Sequence, residues 1–266
     1  MNLEALKFDA STAMDWFSAN FMQANPDKFQ LIHIGCDSDQ GIDLDGIHLI
    51  PEASVKLLGV HLDSQLSFSK HISEICKKAA LQLNMLKRMS KVLSSKVKML
   101  LFRCFILSNF QYCSLVWLNC SKSDSHKLEK LQERALRYVY NDYKSAYFTL
   151  LKTANLPTLE TSRLRSLAIE IFKAINGISP PYIQDLFSLK QNKYNLRDGS
   201  RLVVPACNTT KHGLRSISYQ GAKLWNSLPP DMKRINDLKL FKQAIQKWNG
   251  PECNCTSCKY LSQNIS

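Results

Sequence analysis

Ala10, Met14, Phe17 and Phe21 recur at the spacing of one helix face, with Trp16 beside them. Asp9 stands where an N-cap would open this helix, and Asn25-Pro26-Asp27 ends it. Residues 29–34 then alternate apolar and polar, the period of a strand. Residues 41–46 read as an acidic turn, and residues 47–50 and 55–63 as two further strands. Residues 1–68 therefore predict one helix and about three strands, a small sheet that belongs to something larger.

From Ser69 the period lengthens. Ile72, Ile75, Cys76, Ala79, Leu83 and Leu86 form one apolar stripe, and at a helical period Lys70, Lys77 and Arg88 fall on the opposite side. A second helix follows over 93–107, with Val97, Leu100, Leu101 and Cys104 as its apolar residues. Residues 110–118 are apolar and aromatic and read as a buried helix or a strand. Leu128, Leu131, Ala135 and Val139 mark another amphipathic helix. The next, over 158–176, ends with Gly177 past its last turn and Pro180-Pro181 beyond. Residues 188–216 are more polar, with Asp198-Gly199 as a turn and 201–204 as a short strand candidate. A helix over 241–248 follows, and a Cys/Asn/Ser-rich tail from Pro251. The fold class is α+β. The expected segments are a small N-terminal piece (1–68), an all-helical body (69–187), a C-terminal region (188–250) and a cysteine-containing tail (251–266).

Charge sharpens this division. Residues 1–68 hold three Lys and ten acids, net −7, while residues 69–266 hold 32 Lys/Arg and 12 acids, net +20. A basic body points to a polyanion, nucleic acid or an anionic membrane, or to a solvated basic surface. Between Ser69 and Arg103 nine Lys/Arg (Lys70, Lys77, Lys78, Lys87, Arg88, Lys91, Lys96, Lys98 and Arg103) face one acid, Glu74. A helix with one apolar and one cationic face packs inward and meets phosphates outward. Arg134 and Arg137 share nearly one helix face, with Glu129 and Glu133 close enough to pair with them instead. Residues 211–247 carry eight Lys/Arg against two acids, interleaved with Tyr219, Trp225 and Trp248. Aromatics stack on unpaired bases, but Trp225 reads first as core.

Nine cysteines, an odd number at scattered apolar positions, suit a reducing compartment. The N-terminus shows neither a signal core nor a transit peptide, and no apolar run is long enough to span a bilayer. The expectation is an intracellular protein of cytoplasm or nucleus, not secreted and without a membrane partner. Cys253-x-Cys255-x-x-Cys258 is a tight thiol cluster. Such spacing suits zinc, with a fourth ligand from Cys207, His212 or another chain, and otherwise reads as a redox-sensitive tail. The paired acids Asp37/Asp39 and Asp43/Asp45 read as solvated turn residues. No HExxH pairing, Gly-rich phosphate loop or nucleophile elbow is present.

The order of five segments resembles one family. Trp16, then Asn25-Pro26-Asp27-Lys28, then Lys56-Leu57-Leu58-Gly59-Val60-His61-Leu62-Asp63 and His71-Ile72 resemble the end of the palm in jockey-like non-LTR retrotransposon reverse transcriptases. Leu128-Glu129-Lys130-Leu131-Gln132-Glu133-Arg134-Ala135-Leu136-Arg137 resembles the family's "LExxQxRALR" helix. Trp225-Asn226-Ser227-Leu228-Pro229 and Leu240-Phe241-Lys242 resemble its "WNxLP…FK" segment. The resemblance implies a palm remnant, a thumb over 69–187 and a C-terminal region. It also implies sequence-tolerant binding of an RNA or DNA template–primer through Lys70, Lys77, Lys78, Lys87, Arg88, Lys91, Arg134 and Arg137. Lys28 matches a basic residue that in the family lies near the incoming triphosphate; from the residues alone it is an exposed turn lysine.

The family's centre needs a Tyr-x-Asp-Asp hairpin and a further Asp to hold two magnesium ions. No such tetrapeptide occurs in this sequence. The expectation is a truncated frame, a degenerate copy or a gene start placed at an internal Met, inactive as a polymerase on its own, with no cofactor apart from zinc at the tail. Two other readings stand beside it: a helical module co-opted from a retroelement whose basic face meets an acidic protein, and a non-functional pseudogene product.

Overall fold

The computed structural model describes residues 3–35, 39–44, 46–89, 91–190, 201–209 and 213–250. It is α+β, with two small two-stranded sheets and a helical remainder. The chain divides into two compact units, the first ending at Ile75 and the second beginning at Cys76.

The first unit opens with α1 (Leu3–Ala19). Its apolar period is the expected one, with Ala10, Met14 and Phe17 half-buried. Asp9 is not its cap but lies mid-helix: Leu3, Ala5 and Leu6 are good helix formers that carry it further upstream. The helix ends at Ala19, ahead of the expected Asn25-Pro26-Asp27 stop, and Phe21, expected on its apolar face, lies past it, fully exposed at φ +56°. Pro26–Lys28 form a separate 3-10 turn capped by the Asn25 side chain, which accepts from Asp27 N at 2.9 Å.

The strands differ from expectation. Residues 29–34 form no strand. Leu31 and His33 are buried in alternation, but the segment makes a single parallel bridge, Leu31 to Pro51. The supposed acidic turn contains a strand, β1 (Ile42–Leu44), paired antiparallel with β2 (Ile47–Leu49). Ile42 and Leu44 face inward and Asp43 outward, so a period of two outweighs the acidity. Residues 55–63 are not one strand but a hairpin, β3 (Ser54–Leu57) and β4 (Val60–Asp63). Leu58 and Gly59 adopt φ +47° and +85°, the positive values a tight two-residue loop requires.

After β4 the chain turns into α2 (Ser69–Met89) through Asp63. Its carboxylate accepts from the backbone N–H groups of Gln65, Ser67 and Phe68 and from the Ser67 hydroxyl, at 2.7–3.1 Å. Leu66 and Phe68 sit at φ +50° and +59°, costly for residues with a β-carbon, and this carboxylate holds them there. Burial raises its pKa, but the four hydrogen bonds outweigh burial and hold it below the usual carboxylate value. The predicted stripe of α2 is buried at Ile72, Ile75, Ala79, Leu83 and Leu86.

The second unit is helical. α3 (Ser95–Leu101) is capped by Ser94 and continues as a π-helix, Phe102–Leu107, into α4 (Ser108–Gln111). Its inward residues are Lys98, Phe102, Ile106, Leu107 and Phe110, whereas Val97, Leu100 and Cys104, expected inside, are exposed. Lys98 enters the interior because its ammonium donates to the Tyr138 carbonyl at 3.0 Å and to Asn141 Oδ1 at 3.3 Å. These groups close the C-terminus of α5 (Lys122–Tyr140), where a cation is favoured. Past Gln111 the chain to Leu118 is neither helix nor strand but a run of turns around the buried Trp117.

Helices α6 (Tyr147–Ala154) and α7 (Leu159–Ile175) follow, then α8 (Pro181–Gln184), α9 (Ile217–Ser227), α10 (Pro230–Lys233) and α11 (Leu238–Lys247). α6 and α9 were not expected. Residues 201–204 contribute one bridge, Leu189 to Leu202, and no strand. One hydrophobic core cluster joins α7, α9 and α11. Phe172 stacks on Phe241 with ring centroids 4.4 Å apart, and Trp225 lies 5.9 Å from Phe241.

Candidate nucleic-acid interface

The segment from Ile75 through Ser123 contains no Asp or Glu. On α2 the side opposite the buried stripe carries Lys70, Lys77 and Arg88, with Lys78 and Lys87 on its flanks, and all are exposed. Lys91 and Lys96 beyond the helix are exposed as well, as is Arg103 on the π-helix. Lys98, counted with them in the sequence, is 1 % exposed and structural. The cationic surface is thus built by the helical period: the apolar stripe turns inward and the lysines remain in water.

The other predicted cations divide. Arg134 is exposed and forms no hydrogen bond or ion pair among the described residues. Arg137 is half-buried and pairs with Glu133 at 2.7 Å, while Lys130 meets the other oxygen of the same carboxylate at 3.0 Å. Burial raises the Glu133 pKa, and Arg137 and Lys130 together lower it below its ordinary value. In the C-terminal basic stretch Lys233 is buried, Arg234 lies 3.4 Å from Asp231 and Lys223 sits 4.6 Å over the Tyr219 ring. Trp225 and Trp248, 2 % and 5 % exposed, are core and present no face to a base. Lys28 is an exposed turn residue. Asp43 is a strand residue bonded to His48 at 2.6 Å. Cys253, Cys255, Cys258 and His212 lie outside the described residues, as do Asp37 and Asp45.

The motif residues themselves hold the fold. In α5, Glu129 accepts from the Tyr147 hydroxyl at 2.6 Å and from Glu160 N–H at 3.1 Å, placing a negative charge at the N-terminus of α7. Gln132 donates to the Pro157 carbonyl at 3.1 Å. Leu128, Leu131, Ala135 and Leu136 are buried. In the Trp225-Asn226 motif, the Asn226 side chain accepts from Leu202 N at 2.9 Å and donates to Leu202 O at 3.0 Å, clamping that segment to α9.

No protein-family model matches the chain, and no solved structure matches it. It is similar to the probable RNA-directed DNA polymerase from transposon BS of Drosophila melanogaster, 27% identical over 123 residues. The match covers 45% of this chain and 14% of that protein. It relates the chain, distantly, to a transposon RNA-directed DNA polymerase. Among the described residues no helix is long and apolar enough to cross a membrane, and no group of three or more His, Cys, Asp or Glu is placed to hold a metal.

Proposed function

We propose that this chain is the template–primer-gripping part of a jockey-like non-LTR retrotransposon reverse transcriptase. It corresponds to the end of the palm, the thumb and the C-terminal region, without the polymerase carboxylates. The carrying observation is the acid-free segment from Ile75 through Ser123, whose α2 lysines and Arg88 stay exposed. Lys77, Lys78, Lys87, Arg88 and Lys91 meet backbone phosphates of RNA or DNA, and Lys70 and Arg134 extend the contact. Base edges are not read, so affinity is independent of sequence. The relation to a transposon RNA-directed DNA polymerase supports this reading.

The test is fluorescence anisotropy with RNA–DNA duplexes of unrelated sequence over a range of salt. Affinity is expected to fall linearly on logarithmic axes. Neutralising Lys77, Lys78 and Arg88 together to Gln should flatten the slope by roughly 0.9 for each phosphate no longer neutralised. Wild-type slope in that variant would refute the assignment. A second reading rests on Leu81 and Met85, 69% and 63% exposed among the same lysines. An acidic amphipathic protein segment would cover both, and its binding would persist at high salt.

A further inference from the structure

A cavity of about 300 Å³ opens between the N-terminal half of α5 and the first turns of α6 and α7. Three carboxylates line it, and two are satisfied: Glu129 by Tyr147 and the Glu160 N–H, Glu133 by Arg137 and Lys130. The third, Glu160, is 9% exposed, and its carboxyl receives no hydrogen bond or ion pair among the described residues. Its carboxyl oxygens are not among the buried atoms left without a partner, so they open onto the cavity, where an incoming donor can reach them.

The surrounding cations do not supply that donor. Arg163, one turn along α7, is 3% exposed. It gives Nη2 to Ser125 Oγ at 2.9 Å and lies 5.2 Å over the Trp117 ring. Its Nε and Nη1 are buried without a hydrogen-bond partner and make no ion pair with Glu160. Lys122 and His126 are exposed at the rim, as is Lys130, which is already paired with Glu133. The floor therefore offers an acceptor, and the mouth is basic. Tyr147 and Phe148 form an aromatic wall between them.

We propose that this cavity binds an arginine or lysine side chain, its guanidinium or ammonium group against Glu160 and its alkyl stem along Tyr147 and Phe148. Aromatic faces attract cations and cover alkyl stems. The basic rim selects ligands whose far end is anionic: the carboxylate of a free amino acid, or acidic residues flanking the basic one in a peptide. Burial, then nearby Glu129, push the Glu160 pKa up against the pull of Arg163 and Lys122, to about 8. A cation beside it ionises the carboxyl, so binding at neutral pH releases a proton. The site is independent of the nucleic-acid reading.

The experiment is isothermal titration of the full chain with L-arginine, with the peptide acetyl-Asp-Arg-Asp-amide, and with citrulline, which keeps the shape of arginine but not its charge. At least one arginine probe should bind, with citrulline about tenfold weaker or worse. The heat of binding should vary with the ionisation enthalpy of the buffer, as proton uptake by the buffer requires. Binding of the peptide alone identifies a protein ligand; binding of L-arginine identifies a free amino acid. Glu160→Gln, with an unchanged near-UV circular dichroism spectrum, should weaken arginine binding by a similar factor. The citrulline comparison stands without any mutation. Absence of binding by both arginine probes, equal binding of citrulline, or unaltered binding by the folded Glu160→Gln variant overturns the proposal.

Discussion

Helices α1 and α7 are both 17 residues long and both carry an apolar face, yet α1 buries no side chain while α7 buries ten residues. In α1, Phe8 and Trp16 are 73% and 58% exposed. In α7, Leu164, Leu167, Ala168, Ile171 and Phe172 enter a core shared with α9 and α11. The lesson is that an apolar period tells which side of a helix seeks cover, and only the partners it meets decide how much stability results. Truncating a core partner of α7 should therefore cost far more than truncating the face of α1. Phe241→Ala removes a ring stacked on Phe172 and should destabilise by about 3–5 kcal/mol. Phe17→Ala, at a half-buried position, should cost about 1 kcal/mol or less. Urea denaturation of the full chain checks both, and equal losses would break the comparison. Hydrogen exchange sharpens it: amides of α7 and α11 should exchange more slowly than those of α1.

A smaller effect tests how closely α9 approaches its neighbours. A β-carbon on Gly221 would lie 2.6 Å from Phe187 Cε1 and 3.1 Å from Ile171 Cδ1. Both side chains belong to or pack against the core cluster and have limited room to retreat. Gly221→Ala should lower stability by about 1–3 kcal/mol despite the better helix propensity of alanine. A thermal midpoint equal to or above wild type would show that this core yields more readily than its packing implies.

Where the sequence could be read, the reason was a regular period. The α2 stripe and its opposite lysines follow from the helical repeat alone, and the Glu133–Arg137 pair follows from spacing of four within one helix. Where it misled, a partner from elsewhere in the chain decided. Lys98 lies inside because the end of α5 supplies a carbonyl and an Asn side chain, groups 40 and 43 residues away. Residues 29–34 alternate as a strand does, yet no described strand runs beside them in a ladder. The inward line there runs through Lys98, Phe102 and Ile106, fixed by the bonds of Lys98 to the end of α5, so Val97, Leu100 and Cys104 end outside. The α2 part of the candidate interface was legible because exposure needs no partner. The Glu160 cavity was not, since it exists only where α5, α6 and α7 meet. Its one trace in the sequence is an acid and an arginine, Glu160 and Arg163, set three apart at the head of an apolar stripe.

That cavity also sets the smallest contrast between the two helices, one that depends on pH. In α1 the first-turn Glu4 is exposed and lies 3.6 Å from Lys7, whereas Glu160 in the first turn of α7 is buried. Burial, first among the causes, raises the Glu160 pKa from the ordinary 4.5 to about 8. In the unfolded chain the same carboxyl releases its proton near the ordinary value. Between the two pKa values the folded state holds a proton that the unfolded state lacks, so stability falls as pH rises through this window. Below it the two states are equally protonated and the penalty vanishes; above about 8 it is complete. Glu160→Gln removes the titration. In the absence of ligand the variant should match wild type at the acid end of the window and be the more stable of the two at the alkaline end. Urea midpoints measured across the window check this. Parallel wild-type and variant curves would mean that the carboxyl is already ionised in the fold, in which case binding at the cavity would proceed without proton release.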